Sequence, residues 1–192
     1  MANKTNKRLA LIFAALFAVQ GCAALVVGAG VGAASAAHDR RTLGTQVDDK
    51  TAAGRLATAL AKDETIKQHA NINVHVFNGT ALLVGQAPNE QLMRQAQQLA
   101  ESVKNIKKLH NQIRITSPIS VSTRTHDVWL ASKIKAKLIA DKRIDGLYVD
   151  VAVEDSEVFL MGLVSQQEAS ISVDIARNVD GVKQVIKAFN YL

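Results

Sequence analysis

An internal repeat is the feature that most restricts what this chain can fold into. Residues 72–85 align without a gap with residues 149–162. A supersecondary unit that is written twice predicts two small domains of one fold rather than a single larger domain. We therefore place a first domain at residues 47–116 and a second at residues 123–192, joined by a short linker.

Each copy carries the apolar pattern of a helix, two strands, a second helix and a third strand. The dipeptide Asn78-Gly79 favours a tight hairpin, because both central turn positions need positive φ. The fold class is therefore α+β, with two tandem αββαβ domains, each a small three-stranded mixed sheet packed by two helices on one face. Helices are predicted at residues 49–62, 89–103, 127–140 and 166–179, and strands at residues 72–76, 82–85, 109–115, 149–154, 158–164 and 185–191.

The N-terminus has the pattern of a secretory signal. Basic residues precede an uncharged apolar run at residues 9–19, which is too short to span a bilayer. The run ends in Val19-Gln20-Gly21-Cys22, which resembles the bacterial lipobox, and Cys22 is the single cysteine of the sequence. We predict a signal peptide at residues 1–21, lipidation of Cys22 and a flexible linker at residues 22–46. An uncleaved membrane anchor is the alternative, because residues 9–37 contain no charge.

No arrangement of residues in the sequence is typical of catalysis or of metal binding. The acidic pairs Asp48-Asp49 and Glu154-Asp155 are interpreted as helix-start and turn residues. His75 is expected on the solvent side of its strand. The histidines are scattered, with no metal-ligand spacing, at His38, His69, His75, His110 and His126. We therefore expect no enzymatic activity, no metal and no cofactor other than the covalent lipid on Cys22.

The positive charge of the chain is concentrated in one segment. The formal net charge is +6, but Lys4, Lys7 and Arg8 would leave with the signal peptide. Residues 124–143 hold six basic and two acidic side chains. Nucleic acid is not expected as a partner, because the predicted sheets lack stacking aromatic residues and the protein is expected to be exported.

The helix at residues 127–140 places the single tryptophan away from its own domain. Steps of 100° per residue put Ile134 and Leu138 on the core face, together with Leu130 and Ala131. Trp129 falls on the opposite side of the helix. The aligned face of the first domain carries polar residues, namely Thr51, Arg55, Thr58 and Lys62.

Two interpretations of the Trp129 face remain open on the residues alone. A tryptophan ring with neighbouring lysines suits the interface of a membrane, where lysine stems contact acyl chains and ammonium groups reach phosphates. The same face could instead pack against the first domain or against another protein. The candidate phospholipid-binding residues are Trp129, Leu130, Lys133, Lys135, Ala136, Lys137, Ile139 and Ala140.

Short motifs at equivalent places in the two copies resemble those of the BON domain. Val84-Gly85 and Met161-Gly162 end the second strand of each copy, and Gly181-Val182-Lys183 precedes the last strand. The corresponding element of the first copy is degenerate, as Asn105-Ile106-Lys107. Two such units behind a lipoprotein signal resemble the dual BON-domain outer-membrane lipoproteins.

The resemblance implies a location on the periplasmic face of the outer membrane and a function. It implies binding of anionic phospholipid, of the phosphatidylglycerol or cardiolipin type, mainly by the second domain. It also implies a contribution to outer-membrane integrity and enrichment at the division site. The alternative is a protein-interaction adaptor of the cell envelope, with envelope proteins as partners and without recognition of lipid head groups.

Overall fold

A computed structural model describes residues 39–192, of which Arg40–Leu192 form one compact unit. The predicted signal peptide, Cys22 and the linker as far as residue 38 lie outside the described residues. Among the helices of the described part, none is long and apolar enough to cross a membrane.

The first repeat consists of three helices and three strands. Helix α1 and the short α2 precede a hairpin, and α3 connects the second strand of the hairpin to a third strand. Strand β1 pairs antiparallel with β2, and β2 pairs parallel with β3, so β2 is central. The elements are α1 (Leu43–Lys62), α2 (Glu64–His69), β1 (Asn71–Phe77), β2 (Thr80–Ala87), α3 (Glu90–Glu101) and β3 (Lys108–Ile115).

The second repeat has the same order, with a single 3-10 turn in place of α2. Strand β4 pairs antiparallel with β5, and the last strand pairs parallel with β5 in two pieces. The predicted α+β fold of two tandem αββαβ units with mixed sheets is confirmed. The elements are α4 (Val121–Ala140), the 3-10 turn (Gly146–Tyr148), β4 (Val149–Glu154), β5 (Glu157–Val164), α5 (Gln166–Arg177), β6 (Gln184–Lys187) and β7 (Asn190–Tyr191).

Both leading helices begin earlier than the sequence pattern predicts. Helix α1 starts inside the predicted linker, because the Thr42 side chain caps it by accepting a hydrogen bond from the Thr45 backbone N–H at 3.1 Å. Helix α4 starts in the predicted connection between domains, where Ser120 accepts from the Thr123 N–H at 3.1 Å. The linker prediction is therefore wrong for its last residues.

The two sheets pack face to face, with their helices on the outside. Alternate residues of β2 point in opposite directions, so Leu83 joins the core under the first repeat's helices while Leu82 and Val84 point away from it. These two contact Phe159 and Met161 of β5 in a core cluster that contains residues of both repeats. Each sheet is thus covered on both faces.

A buried glutamate joins the two sheets by hydrogen bonds. Glu154 is buried at the end of β4, and its carboxylate accepts from Gln86 Nε2 at 2.7 Å and from Asn73 Nδ2 at 3.0 Å. Gln86 in turn accepts at Oε1 from the Ile119 backbone N–H at 3.2 Å. The interpretation of Glu154 as a turn residue was wrong, since its carboxylate is instead a polar contact between the domains.

One aspartate in each leading helix holds the hairpin of its own domain. Asp49 is buried, and its carboxylate accepts from the backbone N–H groups of Asn78 at 2.6 Å and Gly79 at 2.8 Å. Asp127 does the same in the second repeat, with Asp155 N at 2.8 Å and Ser156 N at 2.9 Å. All four turn residues have positive φ. Asp49 therefore lies within α1, and its interpretation as a helix-start residue was wrong.

Two consecutive arginines bind different domains. The Arg40 guanidinium donates to both carboxylate oxygens of Glu168, at 2.9 and 2.7 Å, and lies 3.9 Å from the centre of the Tyr148 ring. The Arg41 guanidinium donates to Asp49 at 2.8 Å and lies 3.7 Å from the centre of the Phe77 ring. The chain entering α1 is thus fixed to the second domain by one residue and to the first domain by the next.

Replacing Asp127 by asparagine should destabilise the fold. In Asp127→Asn, one carboxylate oxygen becomes an NH₂ group. This group cannot accept the hydrogen bond that a backbone N–H of the turn donates to that oxygen in the parent protein. We expect the free energy of unfolding to fall by about 1–3 kcal/mol, measured by urea denaturation. The matched control is Asp48→Asn on the exposed side of α1, which should change stability by less than about 0.5 kcal/mol. Equal effects of the two variants would contradict the role assigned to the buried carboxylate.

The pairing of Arg40 with Glu168 should appear as a pH dependence of stability. Hydrogen bonds from Arg40 lower the pKa of Glu168 from 4.5 to about 2. Because the folded state favours the ionised form, this stabilisation is complete above about pH 4.5 and is lost as the pH falls toward 2. Thermal unfolding at a series of pH values should show that Glu168→Gln flattens this acid loss, whereas Asp180→Asn, at an exposed position, should preserve it.

Candidate functional site

Helix α4 is held to the second domain by one buried face. Leu130, Ile134 and Leu138 have no exposed side-chain surface and belong to the core cluster of that domain. Their spacing is that of a helical core stripe, as predicted. Leu130 therefore does not belong to the exposed surface of α4, and its inclusion among the lipid-contacting residues was wrong.

The opposite side of α4 presents apolar side chains to solvent. Trp129 is 53% exposed, Ile139 is 52% exposed and Val128 is 69% exposed. We define the outer face of α4 as Val121, Val128, Trp129, Ala136, Ile139 and Ala140, all of which are exposed. Val121 and Val128 were missed in the sequence. The repeat carried a signal for Val128, since Lys50 occupies the aligned position in the first copy.

Two polar side chains flank the Trp129 ring from its own helix. Lys133 Nζ lies 4.7 Å from the ring centre, within the range of a cation–π contact. The ring centre of His126 lies 5.6 Å from that of Trp129. The indole is thus exposed next to a cation, which is an arrangement suited to a surface that is apolar below and anionic above.

Lys135 does not share the environment of the other lysines of α4. Its ammonium group donates to the backbone carbonyls of Gly146 at 2.9 Å and Val149 at 2.6 Å. Burial lowers the pKa of Lys135. The prediction that Lys135 contacts a lipid head group was wrong in placement, because its side chain points toward the turn between α4 and β4.

The loop after α4 adds further positive charge to the same end of the helix. Lys137 and Lys142 are exposed. Arg143 is exposed as well and donates to Asp141 at 3.0 and 2.8 Å, which lowers the pKa of Asp141 to about 2. Asp141 therefore stays ionised, and it offsets part of the charge of Arg143. The cations next to the outer face of α4 are accordingly Lys133, Lys137 and Lys142.

The first repeat provides an internal comparison for this surface. Helix α1 packs on its own sheet through Leu56 and Leu60, which align with Ile134 and Leu138 of α4. Its outward residues Thr51, Arg55, Thr58 and Lys62 are all exposed. Near its start α1 also exposes two apolar side chains, Leu43 and Val47. The difference between the copies therefore lies at the position of Trp129, where α1 has Thr51, and the fold itself does not require a tryptophan there.

A groove lies between β1 of the first repeat and α4 of the second repeat, next to the outer face of α4. It has a volume of about 490 Å³ and includes His75 on one side and Val128, Ala131 and Ser132 on the other. His75 is half-buried there, and burial lowers its pKa. The placement of His75 on the solvent side of its strand was therefore wrong. Within residues 39–192, no cluster of three or more acidic, histidine or cysteine side chains suits a metal ion.

Comparison with known proteins gives consistent matches over nearly the whole chain. The BON domain family matches residues 48–117 and residues 126–192. The chain is 40% identical over 186 residues to the outer membrane lipoprotein DolP of Haemophilus influenzae, covering 97% of this chain and 96% of that protein. It is 40% identical over 154 residues to a 21 kDa hemolysin of Actinobacillus pleuropneumoniae, covering 80% and 79% of the two chains. It is 28% identical over 146 residues to the osmotically-inducible protein Y of Escherichia coli, covering 74% and 72%.

Stability measurements should distinguish Lys135 from Lys137, two lysines of one helix. Lys135→Met removes two hydrogen bonds to backbone carbonyls, and we expect the free energy of unfolding to fall by about 1–2 kcal/mol. Lys137→Met removes an exposed cation and should change it by less than about 0.5 kcal/mol. Chemical denaturation of both variants gives the comparison, and an effect of Lys137→Met as large as that of Lys135→Met would contradict it.

Proposed function

The chain belongs to the BON domain family as a dual BON-domain protein of the DolP type, and from this membership we propose that it is an outer-membrane lipoprotein that binds anionic phospholipid. The second BON domain makes this contact, through the outer face of α4. The role is one of binding rather than catalysis. The acyl chains on Cys22 anchor the protein to the periplasmic face of the membrane.

The observation that carries the proposal is the difference between the two leading helices. The exposed side chains of Trp129, Val128 and Ile139 lie on α4 at positions where α1 has Thr51, Lys50 and Ala61. Tryptophan is enriched at membrane interfaces, because its ring is apolar while its N–H remains hydrogen-bonded to water or head groups. At a membrane surface these apolar side chains would be removed from water.

The cations around the outer face favour an anionic membrane. Lys133, Lys137 and Lys142 lie at the border of the apolar residues, where their stems can contact acyl chains while their ammonium groups meet phosphates. Each cation near an anionic surface contributes about 1 kcal/mol at low salt. A few such contacts give weak affinity, which suffices for a protein that is already anchored by lipid.

The location and wider role are proposed on the family relationship. The relative in Haemophilus influenzae is named an outer membrane lipoprotein. The lipobox-like sequence ending at Cys22 supports the same anchoring here. We further propose a contribution to outer-membrane integrity and enrichment at the division site, where anionic phospholipid of the phosphatidylglycerol or cardiolipin type would be the ligand.

The experiment compares two matched variants of one protein. A chain that starts at residue 22 and carries Cys22→Ser has no acyl anchor, so its binding to vesicles reports the domains alone. Trp129→Glu places a carboxylate on the outer face of α4 and should reduce binding to phosphatidylglycerol vesicles at least tenfold, measured by cosedimentation. Thr51→Glu makes the same change at the aligned position of α1 and should leave binding within about twofold of the parent.

The outcome also separates the lipid proposal from an envelope adaptor. An adaptor would show no binding to phosphatidylglycerol vesicles in the parent chain, and crosslinks from position 129 would reach a protein. Unchanged vesicle binding by a folded Trp129→Glu chain would refute the assigned surface. The circular dichroism of both variants should match the parent, because Trp129 and Thr51 are exposed.

A further inference from the structure

A leucine in the turn after α4 extends the apolar surface beyond the helix. Leu147 lies in the 3-10 turn and is 45% exposed. We propose that Leu147 is a second membrane-inserting residue and that Lys135 positions it beside the outer face of α4. This inference rests on the proposed function, since it adds a contact to the same membrane-binding surface.

The backbone of the turn is pressed against the end of α4. A Cβ atom at Gly146 would lie 2.3 Å from the carbonyl carbon and oxygen of Leu138 and 2.5 Å from the Ile139 nitrogen. Only glycine permits this approach. Leu147 follows Gly146 directly, so the turn places this residue at the end of the helix where Ile139 is exposed.

Three hydrogen bonds hold the turn in this position. Lys135 Nζ reaches from α4 to the carbonyl of Gly146 at 2.9 Å and to that of Val149 at 2.6 Å, one on each side of Leu147. The Asp145 carboxylate accepts from the Leu147 backbone N–H at 3.0 Å. A flexible loop would lose order on binding, whereas a turn fixed in this way presents its leucine at little entropic cost.

The partner of Leu147 is the membrane that the outer face of α4 contacts, because the turn lies at the end of that helix. In the loop before the turn, Asp141 and Asp145 balance Lys142 and Arg143, so the cations that favour an anionic membrane are those of α4, Lys133 and Lys137. Ten residues separate Trp129 from Ile139, which is about 15 Å along a helix. Insertion at Trp129, near the middle of α4, and at the C-terminal end of the helix would therefore hold α4 along the membrane surface rather than at one point.

The first repeat lacks each part of this arrangement. The connection between its helix and its first strand is α2, which ends at the exposed His69. Ala57 occupies the position that aligns with Lys135, so no lysine reaches from α1 to that connection. Leucine, glycine and lysine thus occur together only in the copy that carries Trp129, within the part of the chain that the structure describes.

The test places a single tryptophan, as a fluorescent reporter, at position 147. In the chain from residue 22 with Cys22→Ser, Trp129→Phe removes the native tryptophan and Leu147→Trp introduces one in the turn. With phosphatidylglycerol vesicles, its emission should shift to the blue and be quenched by brominated acyl chains. The matched control combines Trp129→Phe with His69→Trp, and its emission should stay unchanged on the same vesicles.

A second variant keeps Trp129 and measures affinity directly. Leu147→Asp should weaken binding to phosphatidylglycerol vesicles about five- to tenfold, because an exposed apolar contact is replaced by a charge that the surface repels. Its unfolding should match that of the parent chain. Unchanged affinity of Leu147→Asp would overturn the inference. A reporter chain that binds vesicles without a blue shift at position 147 would overturn it as well. Neither result would contradict membrane binding through Trp129. Failure of the parent chain to bind would instead refute the proposed function.

The positioning role of Lys135 has its own readout. Lys135→Met in the reporter chain should reduce the blue shift at position 147, yet it should leave the salt dependence of binding unchanged, because this ammonium group faces carbonyls rather than phosphates. Lys137→Met should have the opposite effect, with a normal blue shift and a weaker salt dependence. A weaker salt dependence in Lys135→Met would show that its charge meets the membrane, which would overturn the positioning role.

Discussion

The packing of one sheet on the other decides which surfaces of this protein remain for binding partners. Each sheet is covered by helices on one face and by the other sheet on the second face, so the large side chains Phe159 and Met161 are buried between domains rather than offered to a ligand. The buried carboxylate of Glu154 specifies the register of this contact through Gln86 and Asn73. The outward faces of the helices are what is left, and of the two leading helices α4 is the one that exposes a tryptophan there.

The two residues that precede the N-terminal cap of α1 are bound to both domains. Arg40 is bound to Glu168 of the second domain, and Arg41 is bound to Asp49 of the first. Asp49 holds the hairpin of the first domain at the same time, so Arg41, the leading helix and the hairpin are connected through one carboxylate.

The repeat and the periodicity of apolar residues were sufficient to predict the fold and the outward position of Trp129, because both depend on local spacing. The positions of Lys135 and Asp49 could not be predicted in this way. Each side chain is held by backbone groups of a turn that is distant in sequence or irregular in shape, and a 100° rotation per residue contains no information about such partners. The start of α4 was missed for a simpler reason: the cap at Ser120 follows Pro118, in a segment that was interpreted as linker.

The two copies share the residues that maintain the fold but differ at the position of Trp129. The residues that maintain each domain, such as Asp127 and Leu130, have counterparts of the same role in Asp49 and Ala52 of the first copy. Trp129 has no such counterpart, because Thr51 occupies its place and is equally exposed. Changing an exposed residue of α4 costs little folding free energy, so the residue at position 129 can differ from its counterpart without loss of the fold. The fold therefore does not account for an exposed tryptophan there, whereas the proposed membrane contact does.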